Sequence, residues 1–125
     1  LGPMAGQNHH FNVYAPVKID YAIDRYVRET GRLYGVLNKH LEQRDFIAGD
    51  YSIADMASYP WIVSHQRQSQ NLDDFPHLKR WFQRIGERPA TQRAYALVEQ
   101  INPGSPAHDD KARQILFGQD SKTIR

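Results

Sequence analysis

The chain has no cysteine among its 125 residues. This absence excludes disulfide bonds, thiolate metal ligands and a cysteine nucleophile supplied by the protein. A chain without disulfides also suits a reducing compartment. We therefore expect the protein to work in the cytoplasm.

The sequence also lacks a long hydrophobic run. No stretch approaches the roughly 18–20 consecutive apolar residues that a membrane-spanning helix needs. The opening, LGPMAGQNHHF, has no basic segment followed by an apolar one, as a secretory signal would have. We expect a soluble protein without a membrane partner. Because the opening is rich in Gly, Asn and His and starts without a methionine, we interpret it as the cut end of a longer protein.

Neither sign of charge dominates the chain. The 16 Lys and Arg residues are interleaved with 14 Asp and Glu residues, for a formal net charge of +2. No basic stripe of the kind that binds phosphates is present, so we expect no nucleic-acid partner. His9 and His10 are adjacent and have no H-E-x-x-H spacing near them, so we also expect no metal site.

Apolar residues recur at intervals of three and four between Pro16 and Gln43, a pattern that predicts one long amphipathic helix. Gly31 and Gly35 lie within it, and each costs about 1 kcal/mol of helix stability relative to alanine. Because their spacing places both on one side of the helix, we expect the backbone of another helix to approach there.

The stretch DYSIADMASYPW, residues 50–61, places a serine and an aspartate three positions apart before an apolar run. As an N-cap, Ser52 accepts a hydrogen bond from the backbone N–H three residues on, and Asp55 reaches back to the amide of Ser52. A catalytic role would need a base and an oxyanion site, and no local motif supplies either. We therefore predict a structural capping box.

Two further helices are predicted, over FPHLKRWFQRIGERP and ATQRAYALVEQI, and no segment alternates with the period of a strand. The predicted fold is all-α, a bundle of about five helices. Residues 1–101 form the predicted domain. Residues 102–125 are predicted to be a polar tail with a short helix near 112–117.

Five segments together resemble the C-terminal helical domain of a glutathione transferase: GPMAGQNHHF, APVKIDYAIDRY, RLYGVLNKHLE, FIAGDYSIADMASYPW and FPHLKRWFQRIGERPA. GQNHHF and YAIDRY are similar to the narrower Nu class, the glutathione-dependent disulfide-bond oxidoreductases. The resemblance covers residues 1 to about 100. It implies a homodimeric parent enzyme that uses glutathione as its substrate or cosubstrate, with a thioredoxin-like domain that is absent from these 125 residues and a first helix that is truncated.

The resemblance also implies site residues. In Nu-class proteins, the arginine in the position of Arg25 reaches across the dimer interface toward the glutathione of the partner subunit. The loop from Gln7 to Phe11 borders the electrophile side of the cleft, which makes substrate-binding candidates of Gln7, Asn8, His9 and Phe11. No catalytic residue is expected in this chain, because in the family the reactive sulfur belongs to glutathione.

Two hypotheses follow from these observations. The chain is the helical half of a glutathione transferase or disulfide oxidoreductase, in which case it is inactive alone. The alternative is a free-standing module that uses the transferase fold only to associate with other proteins.

Overall fold

The computed structural model describes residues 1–101, 110–118, 120 and 122. In this part of the chain there is no β-strand, and the only extended pairings are two isolated bridges between residues 46 and 50. The all-α prediction is confirmed. The chain divides into two units, Leu1–Arg88 and Pro89–Arg125.

The first unit holds the long helix and its neighbours. Helix α1 spans Gly2–His9 and runs directly into a π-helix, His10–Tyr14. It is followed by α2 (Asp20–His40), α3 (Ile53–Val63) and α4 (Pro76–Gly86), and two short 3₁₀ helices at His65–Gln68 and Leu72–Asp74 connect α3 to α4.

Helix α2 begins four residues later than the sequence pattern predicts. Ile19 is extended, with φ −120° and ψ 95°, so the helical conformation starts only at Asp20. An aspartate in the first turn is also favourable, because the N-terminus of a helix carries partial positive charge. The apolar spacing upstream of Asp20 was therefore misleading, since residues 16–19 lie in a non-helical lead-in.

The predicted helix contact at the two glycines of α2 is wrong. A Cβ atom at Gly31 would lie 3.0 Å from the side-chain Oε1 of Gln70, and among the described residues no backbone atom of another helix lies within 4 Å of it. A Cβ atom at Gly35 would meet nothing within 4 Å among the described residues. Gly31 thus makes room for a polar side chain.

The core of the first unit lies where α2, α3 and α4 meet. Helix α4 buries Leu78, Trp81 and Ile85, and half-buried Phe82 stacks on Tyr59. The remaining buried hydrophobic residues of the cluster are Tyr34, Leu41, Ile62 and Leu72. Helix α4 therefore contributes three of the eight buried residues of this core.

The second unit comprises α5 (Pro89–Ala96), α6 (Val98–Ile101) and α7 (Asp110–Phe117). Helix α7 includes residues 112–117, where the sequence predicts a short helix. The rest of the predicted tail, residues 102–109, 119, 121 and 123–125, lies outside the described residues, and the boundary after residue 101 stays a prediction. None of the described helices combines the length and the apolar character that crossing a membrane requires.

Candidate functional site

Ser52 and Asp55 form a capping box at the start of α3. The Ser52 hydroxyl accepts a hydrogen bond from the Ala54 N–H at 3.3 Å, and the Asp55 carboxylate accepts from the Ser52 N–H at 3.0 Å. Ser52 itself is extended, as an N-cap residue should be. Both side chains therefore cap the N-terminus of α3.

Asp55 has two further partners that the local motif did not reveal. Its Oδ1 atom accepts from the indole Nε1–H of Trp81 at 2.7 Å and from the Ile47 N–H at 3.0 Å. The residue is fully buried. Asp55 thus ties α3 to α4 and to the loop before α3. The link to Trp81 spans 26 residues, so nothing in the spacing of the sequence could have predicted it.

The candidate substrate-binding residues near the N-terminus lie on α1 and on the π-helix. Gln7 is exposed, whereas His9 and Phe11 are half-buried. The ring of Phe11 stacks on that of Tyr26, with centroids 5.4 Å apart and planes 8° from parallel. This stack places the π-helix beside the first turns of α2, where Arg25 lies. π-helical segments occur frequently at functional sites.

Asn8 does not fit the binding role implied by the resemblance. Its side chain is fully buried. Its Nδ2 atom donates to the Thr30 hydroxyl and to the Gln68 carbonyl, both at 3.0 Å, and its Oδ1 atom accepts from Asn12 at 2.6 Å. These contacts use the polar atoms of the side chain within the fold. As placed, Asn8 holds α1 in position and cannot reach a molecule in an open cleft.

The surroundings of His9 disfavour the protonated, positively charged form of its imidazole. Its imidazole stacks on the Tyr14 ring at 5.1 Å, and its Nε2 atom is buried with no hydrogen-bond partner in the described part of the chain. Burial, together with the positive charge of Arg67, holds the pKa of His9 below its usual value. The neutral imidazole is therefore the form that the fold favours.

This environment predicts a pH-dependent stability. Because the unfolded state binds a proton on His9 more readily than the folded state does, the unfolding free energy should fall as the pH decreases from the unfolded value of 6.5 through the lowered folded-state pKa. Denaturant titrations between pH 7.5 and 4.5 should show a weaker pH dependence for His9→Phe, which keeps the stack but cannot be protonated. Identical profiles for the two proteins would contradict this account of His9.

Arg25 projects from the surface of α2. It is exposed, and within the described residues its guanidinium makes no hydrogen bond or ion pair. The neighbouring charges are already paired, Asp24 with Arg28 and Glu29 with Arg32. The Arg32 hydrogen bond lowers the pKa of Glu29, and Arg25 adds a smaller electrostatic contribution. Arg25 is thus a cation available to a partner outside this chain.

The described residues contain no cluster of three or more His, Asp or Glu side chains that could hold a metal ion. The N-terminal segment holds exposed Gln7 and half-buried His9 and Phe11, and it lies beside α2. On α2, Arg25 is exposed and unpaired within the described residues.

Comparisons with known proteins identify the family of this chain. A family model described as glutathione S-transferase, C-terminal domain, matches residues 15–89. The disulfide-bond oxidoreductase YfcG of Escherichia coli (strain K12) is 55% identical over 95 residues, which cover 75% of this chain and 44% of YfcG. The disulfide-bond oxidoreductase YghU of the same organism is 44% identical over 98 residues, which cover 72% and 34%.

Among solved structures, the glutathione transferase URE2P6 from Phanerochaete chrysosporium, in complex with oxidized glutathione, superposes with a TM-score of 0.73 at 32% identity. The match covers 81% of this chain and 48% of that one. The chain thus spans less than half the length of these three relatives. Since the family model matches more than half of the chain, the protein belongs to the glutathione S-transferase C-terminal domain family.

Proposed function

We propose that this chain is the helical part of a glutathione-dependent disulfide-bond oxidoreductase that works in the cytoplasm. The observation that carries the proposal is the similarity to two proteins named disulfide-bond oxidoreductases, of which YfcG is 55% identical. Oxidized glutathione in the URE2P6 complex supports the choice of ligand. The absence of cysteine is compatible with it, because glutathione supplies the reacting sulfur.

The proposed chemistry is thiol–disulfide exchange. A glutathione thiolate attacks one sulfur of a substrate disulfide in line with the S–S bond, forms a mixed disulfide and releases the other sulfur as a thiolate. A second glutathione thiolate attacks the glutathione sulfur of the mixed disulfide. The products are glutathione disulfide and two substrate thiols. Two electrons pass from two glutathiones to the substrate, so no other reductant is needed.

Arg25 is the strongest binding candidate in the chain. Glutathione carries two carboxylates, and a guanidinium can hold a carboxylate through two parallel charge-assisted hydrogen bonds. Because Arg25 is exposed and unpaired in the described structure, we propose that it binds glutathione held by the partner subunit of a homodimer. Gln7, His9 and Phe11 are proposed to line the side of the cleft that receives the disulfide substrate.

We further propose that the full protein carries a thioredoxin-like domain and a longer first helix. The match covers 44% of YfcG and 34% of YghU, so both relatives are longer than this chain. An apolar groove of about 310 Å³ lies beside the second half of α2. The groove is lined by Leu1, Leu33, Val36, Leu37, His40, Ile47 and Ser58.

Turnover assays on the 125-residue chain and on the full protein that contains it test the proposal. With glutathione and a small dialkyl disulfide, we expect steady production of glutathione disulfide by the full protein and none by the chain alone, which lacks the main glutathione-binding domain of the family. Turnover by the chain alone would contradict the proposal that the reaction needs the glutathione-binding domain in addition to this helical part. A folded full protein that neither binds glutathione nor turns over would favour the interaction module.

A further inference from the structure

A set of buried polar side chains joins α1, α2 and the first 3₁₀ helix of the unit. Asn8, Thr30 and Gln68 are each fully buried, and so is Tyr34, whose hydroxyl contacts Gln68. A buried polar network of this kind is costly if any member loses its partner. Thr30 and Gln68 belong to none of the segments that carry the family resemblance.

Gln68 lies at the centre of this set. Its Oε1 atom accepts from the Tyr34 hydroxyl at 2.9 Å, and its Nε2 atom donates to the Trp61 carbonyl at 2.9 Å. Its backbone carbonyl accepts from Asn8 at 3.0 Å and from Gln70 at 3.1 Å. One residue therefore contacts α1, α2 and α3 through three different polar groups.

Two sets of contacts connect Gln68 to α1. The first is the direct hydrogen bond from Asn8, which is flanked in sequence by Gln7 and His9. The second runs through Trp61, whose indole packs so closely on α1 that a Cβ atom at Gly2 would lie 3.1 Å from it and one at Gly6 3.7 Å. A change at Gln68 should therefore move the segment that carries Gln7 and His9.

We propose that Gln68 is a positioning residue for the Gln7–Phe11 segment and sets how well that segment meets the disulfide substrate. The inference rests on the proposed function, since it assigns Gln68 a part in the same site. Gln68 cannot touch a substrate, because its side chain is fully buried and both ends of its amide are engaged. It acts only through the placement of α1.

The test uses Gln68→Glu in the full protein. A glutamate keeps the acceptor for the Tyr34 hydroxyl at nearly the same volume, but it loses the donor to the Trp61 carbonyl. Tyr34→Phe gives a milder form of the same disturbance, by removing the hydroxyl that holds Gln68. Gln66→Glu is the matched control, because Gln66 is exposed in the same 3₁₀ helix.

We expect Gln68→Glu to raise KM for the disulfide substrate about tenfold, within the roughly hundredfold that a 1 Å misplacement can cost, with a smaller change in kcat. Tyr34→Phe should raise KM in the same direction, and Gln66→Glu should leave it unchanged. When Gln7 and His9 are both replaced by alanine, adding Gln68→Glu should change KM less than twofold, because the positioned groups are gone.

A merely structural role gives a different pattern. It lowers the unfolding free energy but leaves KM of the folded enzyme unchanged, or shifts KM equally with and without Gln7 and His9. Either result would overturn the inference. A wild-type protein that binds no glutathione would overturn the proposed function and this inference with it, whereas a normal wild type with unaffected Tyr34→Phe and Gln68→Glu variants would overturn the inference alone.

Discussion

Asp55→Ala is expected to lower the unfolding free energy by about 3–5 kcal/mol, more than the loss of a helix cap alone would cost. A cap contributes about 1 kcal/mol. Here the substitution also leaves the buried Trp81 indole N–H and the partly buried Ile47 N–H without their acceptor. An unsatisfied buried donor costs roughly 1–3 kcal/mol. Denaturant unfolding followed by circular dichroism measures the change.

Asp50→Ala is the matched control for this experiment. Asp50 lies five residues before Asp55 in the same segment but is exposed, so its removal should change stability by less than about 0.5 kcal/mol. The structural interpretation of Asp55 fails if Asp55→Ala keeps its stability while the full protein loses its reaction. In that case Ser52 and Asp55 would take part in the reaction, and their role would not be that of a structural helix cap.

Arg25→Ala in the full protein is expected to weaken glutathione binding by about 1.5–3 kcal/mol, or roughly 10- to 150-fold in Kd. This is the range for a hydrogen bond to a charged group. Because Arg25 is exposed and makes no ion pair in the described structure, its removal should leave the unfolding free energy unchanged. Arg25→Lys should recover only part of the affinity, since an ammonium cannot form the paired hydrogen bonds of a guanidinium.

Arg28→Ala separates this effect from a general loss of positive charge on α2. Arg28 is also exposed, but its Nε atom is bonded to Asp24 at 2.9 Å. We expect little change in glutathione affinity for this variant. Equal affinity of the Arg25→Ala protein and the wild type, with the dimer intact, would make Arg25 an ordinary solvated residue of the helix.

Much of the fold could be predicted because it depends on local patterns. The spacing of Leu78, Trp81 and Ile85 identifies the buried face of α4, and the serine and aspartate of the capping box identify the start of α3. The apolar spacing predicts too early a start for α2, because it does not report whether Ile19 is helical or extended.

The tertiary partners could not be predicted in the same way. Asp55 meets Trp81 across 26 residues, and Gly31 faces Gln70 across 39 positions of the chain. Such pairs depend on how the helices pack, which no short motif encodes.

The candidate site came from the resemblance and not from the chemistry of isolated residues. An arginine on a helix surface is ordinary, and only the YAIDRY segment pointed to Arg25. The structure adds that Arg25 is unpaired among the described residues. It also separates Asn8 from its neighbours, because the alternation of exposed Gln7, buried Asn8 and half-buried His9 along α1 is visible only once the helix is packed.

Calorimetric titration of the full protein with glutathione disulfide tests the central claim most directly. The account predicts saturable binding with one glutathione disulfide per subunit, and a substantially higher Kd for the Arg25→Ala variant of the same dimer. A folded protein that releases no heat of binding and shows no protection from unfolding by glutathione disulfide would contradict the claim that this chain serves a glutathione-dependent enzyme.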